Sequence, residues 1–149
     1  METKTEKEIA ILFGMSLNGE DGTVSLKELE RLAETANVEV VGTLFQRAKE
    51  ITPATFIGSG KVVELKELVE QTGANLAICD NELSGSQINN ISNEIGIKVV
   101  DRTTLILDIF AKRALSNEGK LQVELAMLKY YLPRLSGISG TSGRFGSGG

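Results

Sequence analysis

Apolar residues follow two different spacings along the first hundred positions of the chain. Four short runs, residues 8–17, 38–46, 75–80 and 97–101, are nearly continuous in aliphatic side chains. Between these runs, apolar residues recur every three or four positions, as they do on one face of a helix. Strands that alternate with helices are typical of βαβ crossovers, which place helices on both faces of a sheet. We therefore predict an α/β fold with a mostly parallel, four-stranded sheet and flanking helices.

Polar residues and glycines indicate where the helices begin and end. Ser25 and Glu28 have the spacing of a capping box at the start of the first helix. Ser59 is the N-cap candidate of the second helix, and Gly73 and Gly96 follow the second and third helices as stop signals. The three predicted helices cover residues 25–36, 59–72 and 84–95.

The pattern changes after Asp101. Residues 103–114 and 120–132 both have helical spacing and are separated by a short turn, which predicts an antiparallel helical hairpin. Four leucines of the second helix are spaced by four, three and four positions, and we predict that this seam holds the hairpin together. These leucines are Leu121, Leu125, Leu128 and Leu132.

The last residues are rich in glycine. Six of the thirteen residues 137–149 are glycine, and such a segment buries too little apolar surface to offset the entropy that ordering costs. We predict a linker over residues 136–149, after an α/β subdomain over 1–101 and a helical hairpin subdomain over 102–135. A chain that ends in a linker is expected to be part of a longer protein.

Histidine is absent and Cys79 is the single cysteine. This composition excludes Ser-His and Cys-His catalysis, imidazole metal sites and thiolate clusters, so we predict neither catalytic residues nor a metal site. Cys79 falls within an apolar run, which predicts a buried, inert thiol in a reducing cytoplasm. No apolar run approaches the roughly 20 residues that span a bilayer, and we predict no membrane association.

The net charge of −4 is distributed unevenly. Residues 1–100 carry 9 basic and 16 acidic side chains, whereas residues 101–149 carry 7 basic and 4 acidic ones. The basic part is therefore the candidate for an anionic partner. Its polar and basic residues cluster around the turn of the predicted hairpin: Lys112, Arg113, Ser116, Asn117 and Lys120.

The stretch GSGK, residues 58–61, resembles the end of a P-loop. A complete loop requires a glycine five residues before its second glycine and a hydroxyl residue after its lysine, but these positions hold Thr55 and Val62. We interpret the stretch as the start of a helix. Binding of a small ligand or nucleotide such as ATP remains the alternative, because helix N-termini attract anions. The residues that would bind it are Gly58, Gly60 and Lys61.

Acidic residues near the predicted strand ends leave two further alternatives open. Asp80 ends a strand, as a phosphoacceptor does, and Glu20 and Asp21 follow the first strand as an acidic pair that could hold Mg²⁺. No lysine ends a further strand, which this chemistry needs. A nucleotide hydrolase that uses the GSGK stretch would instead take Asp80 and Glu82 as its Mg²⁺ ligands.

Three long segments of the chain are IGSGKVVELKELVEQTGANLAICDNELSGSQINNI, IKVVDRTTLILDIFAKRA and EGKLQVELAMLKYYLPRL. Together they resemble the N-terminal domain of HflX-type ribosome-associated GTPases. The similarity runs from about Gln46 through Leu135, and residues 1–45 match only in their βαβ pattern.

The resemblance implies a cytoplasmic domain that binds the large ribosomal subunit through the hairpin turn, residues 113–120, which would approach ribosomal RNA near the peptidyl-transferase centre. Full-length relatives dissociate stalled or idle ribosomes in a GTP-dependent manner, especially under stress. The resemblance also places a GTPase domain, with GTP and Mg²⁺, after the Gly-rich segment and makes that domain a partner of this one. Because the chain has neither a complete P-loop nor an NKxD motif, we expect no GTPase activity from it alone, and we expect a monomer.

Overall fold

A computed structural model describes residues 6–138, and for residues 135–138 it describes only the backbone. A four-stranded, fully parallel sheet has the strand order β2-β1-β3-β4. The predicted α/β class and the four strands are thus confirmed. In chain order the elements are β1 (Ile9–Ser16), α1 (Thr23–Thr35), β2 (Glu39–Arg47), α2 (Ser59–Thr72), β3 (Leu76–Cys79), α3 (Gly85–Ile95), β4 (Lys98–Asp101), α4 (Arg102–Arg113) and α5 (Asn117–Ile138).

Strand β1 is the central element of the core. Its residues Ala10, Ile11, Leu12 and Phe13 are fully buried, because helices cover both faces of the sheet. The even positions pack with α1 and α4, and the odd positions pack with α2 and α3. A strand buried on both faces needs apolar residues at every position, which explains the continuous apolar run in the sequence.

The predicted capping box at the start of α1 is wrong. The helix begins at Thr23, and Gly22 occupies the N-cap position without a side-chain hydrogen bond. Ser25 and Glu28 instead point their side chains toward the carboxyl edge of the sheet, where they contact Asp80 and Arg102. Tertiary contacts therefore use both residues that the local pattern assigned to the helix end.

The other helix boundaries agree closely with the sequence. Gly73 and Gly96 end α2 and α3 in the left-handed conformation, with φ of 73° and 79°. The N-cap of α2 is Gly58, so the expectation for Ser59 is wrong by one position. At α3, Ser84 and Gln87 form a complete capping box that the sequence analysis did not identify.

Helices α4 and α5 form the predicted hairpin. Tyr130, in the second half of α5, contacts Asp101 at the start of α4, which shows that the two helices are antiparallel. The leucine seam, however, does not hold it together. Leu121, Leu125, Leu128 and Leu132 are between 52% and 64% exposed. Four of the half-buried residues of α5 lie on a different stripe with the same spacing: Val123, Met127, Tyr130 and Arg134.

Helix α5 continues through Ile138. It therefore includes residues 136–138, which the sequence analysis assigned to the Gly-rich linker. The rest of that predicted linker, residues 139–149, lies outside the described residues.

Two smaller expectations concern burial and membranes. Cys79 is fully buried as predicted, and burial raises the pKa of its thiol well above the ordinary value. Over residues 6–138, none of the helices combines the length and hydrophobicity that crossing a membrane requires.

Candidate nucleic-acid interface

The five polar residues predicted from the sequence meet at the tip of the helical hairpin. Lys112 and Arg113 occupy the last turn of α4, where cations interact favourably with the helix dipole. The Oγ of Ser116 accepts a hydrogen bond from the backbone N–H of Gly119 at 2.9 Å, which caps the start of α5. Asn117 and Lys120 lie in the first turn of that helix. The hairpin geometry therefore places all five within one turn of the connection.

The cations of the tip are largely free of internal charge partners. Lys112 lies 3.9 Å from Asp108, and both side chains are more than half exposed. Such a pair contributes little and is screened by salt. Within residues 6–138, neither Arg113 nor Lys120 forms an ion pair. The tip thus presents three exposed cations to solvent.

A buried network fixes the base of the hairpin to the sheet. Asp101, which ends β4 and caps α4, is fully buried. Its carboxylate accepts hydrogen bonds from the backbone N–H of Leu83 at 3.1 Å and of Thr104 at 3.0 Å. Its third donor is the hydroxyl of Tyr130 in α5. Burial, and then the neighbouring Asp101, raise the pKa of Tyr130, so its hydroxyl stays protonated at neutral pH.

Arg134 extends this network by one turn of α5. Its guanidinium lies 3.5 Å from the centre of the Tyr130 ring, a cation–π contact. It also donates hydrogen bonds to the backbone oxygens of Leu83 at 3.2 Å and Tyr130 at 2.8 Å, and it pairs with Glu82 at 3.5 Å. This network was not predicted from the sequence, although an aspartate between a strand and a helix is a recognisable N-cap signal.

The GSGK stretch has the geometry of an ordinary helix start. The backbone N–H of Gly58 is already used, since it donates to Oε1 of Gln46 at 3.0 Å. Lys61 pairs with Glu64 of the next turn at 3.3 Å, and a side chain at Gly60 would meet open space. Gly58, Gly60 and Lys61 are thus close together but do not form a closed cradle. Nucleotide binding there stays a prediction.

Asp80 is held by partners of its own. Its two carboxylate oxygens contact Nη1 of Arg102, at 2.8 Å, and the hydroxyl of Ser25. Arg102 also reaches Glu28 with Nη2 at 3.0 Å. Glu82, the other acid considered for Mg²⁺, turns toward Arg134 instead. In the described part of the chain, no three Asp, Glu, His or Cys side chains group as a metal site would require.

Comparisons with known proteins match two adjacent segments of the chain. The family described as GTP-binding GTPase N-terminal matches residues 23–111, and the family described as GTP-binding GTPase Middle Region matches residues 113–149. The GTPase HflX of Caldanaerobacter subterraneus subsp. tengcongensis is 53% identical over 147 residues, which cover 99% of this chain and 34% of that protein. The GTPase HflX of Escherichia coli K12 is 41% identical over 128 residues, or 86% of this chain and 30% of that protein.

A solved structure supports the same assignment. A GTP-binding protein from the hyperthermophilic archaeon Sulfolobus solfataricus, in complex with GDP, superposes with a TM-score of 0.61 and 31% identity over 89% of this chain and 40% of the archaeal one. The chain thus spans about a third of the length of the relatives that it matches. It belongs to the HflX family of GTPases, and its residues correspond to the N-terminal and middle regions of that family.

Proposed function

We propose that this chain is the non-catalytic, RNA-binding part of a GTPase that acts on the large ribosomal subunit. The hairpin tip would bind ribosomal RNA, and the protein would promote dissociation or rescue of ribosomes in the cytoplasm, especially under stress. GTP and Mg²⁺ would be bound by a GTPase domain in the remaining two thirds of the length seen in relatives, and that domain would be a partner of this one. The chain itself would act as a monomer without a cofactor.

One observation carries the proposal: three exposed cations lie at the free end of a hairpin whose base is fixed. Helix α5 has 22 residues, which corresponds to a length of about 33 Å. A slender element of this kind can enter a crevice in folded RNA that a globular domain cannot. Because Tyr130 and Arg134 tie its base to Asp101 and Leu83, the tip would be held in a defined direction.

The tip residues suit RNA by their chemistry. Lys112, Arg113 and Lys120 would neutralise phosphates and release counterions, so that affinity falls as salt rises. The planar guanidinium of Arg113 would stack on an unpaired base, and Asn117 would hydrogen-bond a base edge. Ser116 uses its oxygen as an acceptor for Gly119, which leaves its hydroxyl proton free to be donated to RNA.

Co-sedimentation with purified large ribosomal subunits at low and high salt tests the proposal. The variant Lys112→Ala, Arg113→Ala, Lys120→Ala removes the tip cations and leaves Tyr130 and Arg134 in place. A matched control, Lys27→Ala, Lys49→Ala, Lys66→Ala, removes three exposed cations of the α/β subdomain.

We expect salt-sensitive binding of the wild type, loss in the tip variant, and little change in the control. Equal loss of binding in both triple variants would show diffuse electrostatic attraction. Binding that is kept in the tip variant and lost in the control variant would mean that the interface lies on the α/β subdomain.

A further inference from the structure

β1 and β3 are neighbouring strands, and the connections that follow them lead in opposite directions along the sheet. From β1 the chain passes through α1 to β2 on one side, and from β2 it returns through α2 to β3 on the other side of β1. In open parallel sheets, ligands bind in the crevice outside the carboxyl ends of the strands at such a switch point. A cavity of about 350 Å³ lies at this place, within the size range of small-molecule sites.

The walls of this crevice are built from both sides of the switch point. The amide of Asn81, after β3, hydrogen-bonds the backbone N–H and oxygen of Met15 in β1, at 2.9 and 3.0 Å. On the other side lies the ring of Phe45 in β2, which contacts the β1–α1 loop so closely that a Cβ at Gly22 would be 2.2 Å from it. Glycine at position 22 is therefore a requirement for the shape of this wall.

Phe56 lines the same crevice in an unusual backbone conformation. Its φ is 66°, which is a genuine outlier for a bulky residue. Two hydrogen bonds with Thr52 hold it there, from Phe56 N–H to the Thr52 oxygen at 2.7 Å and from Thr52 N–H to the Phe56 oxygen at 3.0 Å. Strain of this kind persists where the surroundings impose it and is concentrated at binding sites.

The charge of the lining favours a cation. Glu20, Asp21 and Asp80 are among the lining residues, and no lysine or arginine is. Asp80 is neutralised by Arg102 at 2.8 Å, and Arg47 approaches Asp21 only to 3.9 Å with both side chains exposed. Hydrogen bonds from Thr23 lower the pKa of Asp21, which keeps this carboxylate charged. Within the described residues, Glu20 forms no ion pair.

We propose that this crevice is a binding site for a small organic cation of the aliphatic polyamine type. Glu20 and Asp21 at its mouth would take the ammonium groups, and the faces of Phe45 and Phe56 would attract them through cation–π contacts. The methylene chain between the ammonium groups would lie against Met15 and Leu17, the aliphatic residues of the lining. The site is separate from the GSGK stretch, and its charge is opposite to that of a phosphate site.

Isothermal titration calorimetry with spermidine in about 0.15 M salt, where distant charges are screened, tests this proposal. The variant Glu20→Gln, Asp21→Asn removes two charges at the crevice while keeping their hydrogen-bonding capacity. Its matched control, Glu67→Gln, Glu70→Gln, removes two exposed charges of α2. Phe45→Leu is a third variant, which keeps an apolar wall but removes the ring.

We expect one spermidine per chain, at least tenfold weaker binding in the crevice variant and in Phe45→Leu, and a change below twofold in the control. Absence of saturable binding would overturn the proposal, as would equal weakening in both charge variants. Displacement of spermidine by an equal concentration of Mg²⁺ would also overturn it, since the site would then belong to a metal ion.

Discussion

The hydroxyl of Tyr130 in α5 donates a hydrogen bond to the carboxylate of Asp101, the buried residue that ends β4 and caps α4. The same carboxylate accepts hydrogen bonds from the backbone N–H groups of Leu83 and Thr104. One side chain therefore joins the sheet, the start of the hairpin and the returning helix. Together with the packing of α5 against α3 and α4, this contact joins the hairpin to the α/β subdomain.

Replacing Tyr130 by phenylalanine should destabilise the chain. The change removes a hydrogen bond to the buried side chain of Asp101, and we expect a loss of about 1 to 2 kcal/mol in the free energy of unfolding. Urea denaturation followed by circular dichroism measures it. Tyr131→Phe is the matched control, because the Tyr131 hydroxyl makes no hydrogen bond within the described residues; an equal loss in both variants would contradict the role of Asp101.

The same contact should make stability fall at alkaline pH. Burial and Asp101 raise the pKa of Tyr130 in the folded chain, whereas the unfolded residue titrates near its ordinary value of about 10. Below that pH both states are protonated and the contribution is fully present; above it only the unfolded state loses its proton, so stability declines. Urea titrations between pH 8 and 11 should show a steeper decline for the wild type than for Tyr130→Phe. Parallel curves would refute the assignment.

Helix α5 should tolerate substitution on its leucine stripe better than on the stripe that faces the domain. Leu125 and Leu128 are more than half exposed, and replacing both by alanine should change the free energy of unfolding by less than about 1 kcal/mol. Val123 and Met127 are half-buried, so replacing both by alanine should lower the free energy of unfolding by about 2 kcal/mol or more. The reverse order of urea midpoints would mean that the leucines do hold the hairpin together.

Arg102 should be needed for the carboxyl edge of the sheet. Its side chain bridges Asp80, which is only 8% exposed, and Glu28. Arg102→Ala would leave Asp80 with a nearly buried, uncompensated charge, at a cost of about 1 to 3 kcal/mol. Arg31→Ala, an exposed arginine of α1, is the control and should change the urea midpoint little. An unchanged urea midpoint in Arg102→Ala would show that solvent already compensates the charge of Asp80.

The sequence predicts the sheet and most helix boundaries because those features are local. A strand buried on both faces must be apolar throughout, as β1 is, and glycine at positions 73 and 96 is required by positive φ. The pairing of Ser25 with Asp80 could not be predicted in this way. These residues are 55 positions apart, and the local pattern offered Ser25 a capping role that tertiary contacts override.

The register of α5 shows the same limit. Both stripes of the helix have the spacing of a packed seam, and nothing in the periodicity decides which one faces the domain. Tyr130 and Arg134 decide it, because Asp101 and the backbone oxygen of Leu83 offer them partners that leucines cannot use. The tip residues, by contrast, follow from the hairpin alone, since any short connection between antiparallel helices gathers its flanking side chains.

Directed cleavage of ribosomal RNA from the hairpin tip is the most direct test of the central claim. Cys79 is the single cysteine and is fully buried, so an iron chelate can be attached selectively to Glu118→Cys at the tip or to Glu67→Cys on α2. With large ribosomal subunits, we predict that the tip probe cleaves a confined set of nucleotides and that the α2 probe cleaves none of them. Cleavage from the α2 probe without cleavage from the tip probe would contradict the claim that the hairpin tip binds ribosomal RNA.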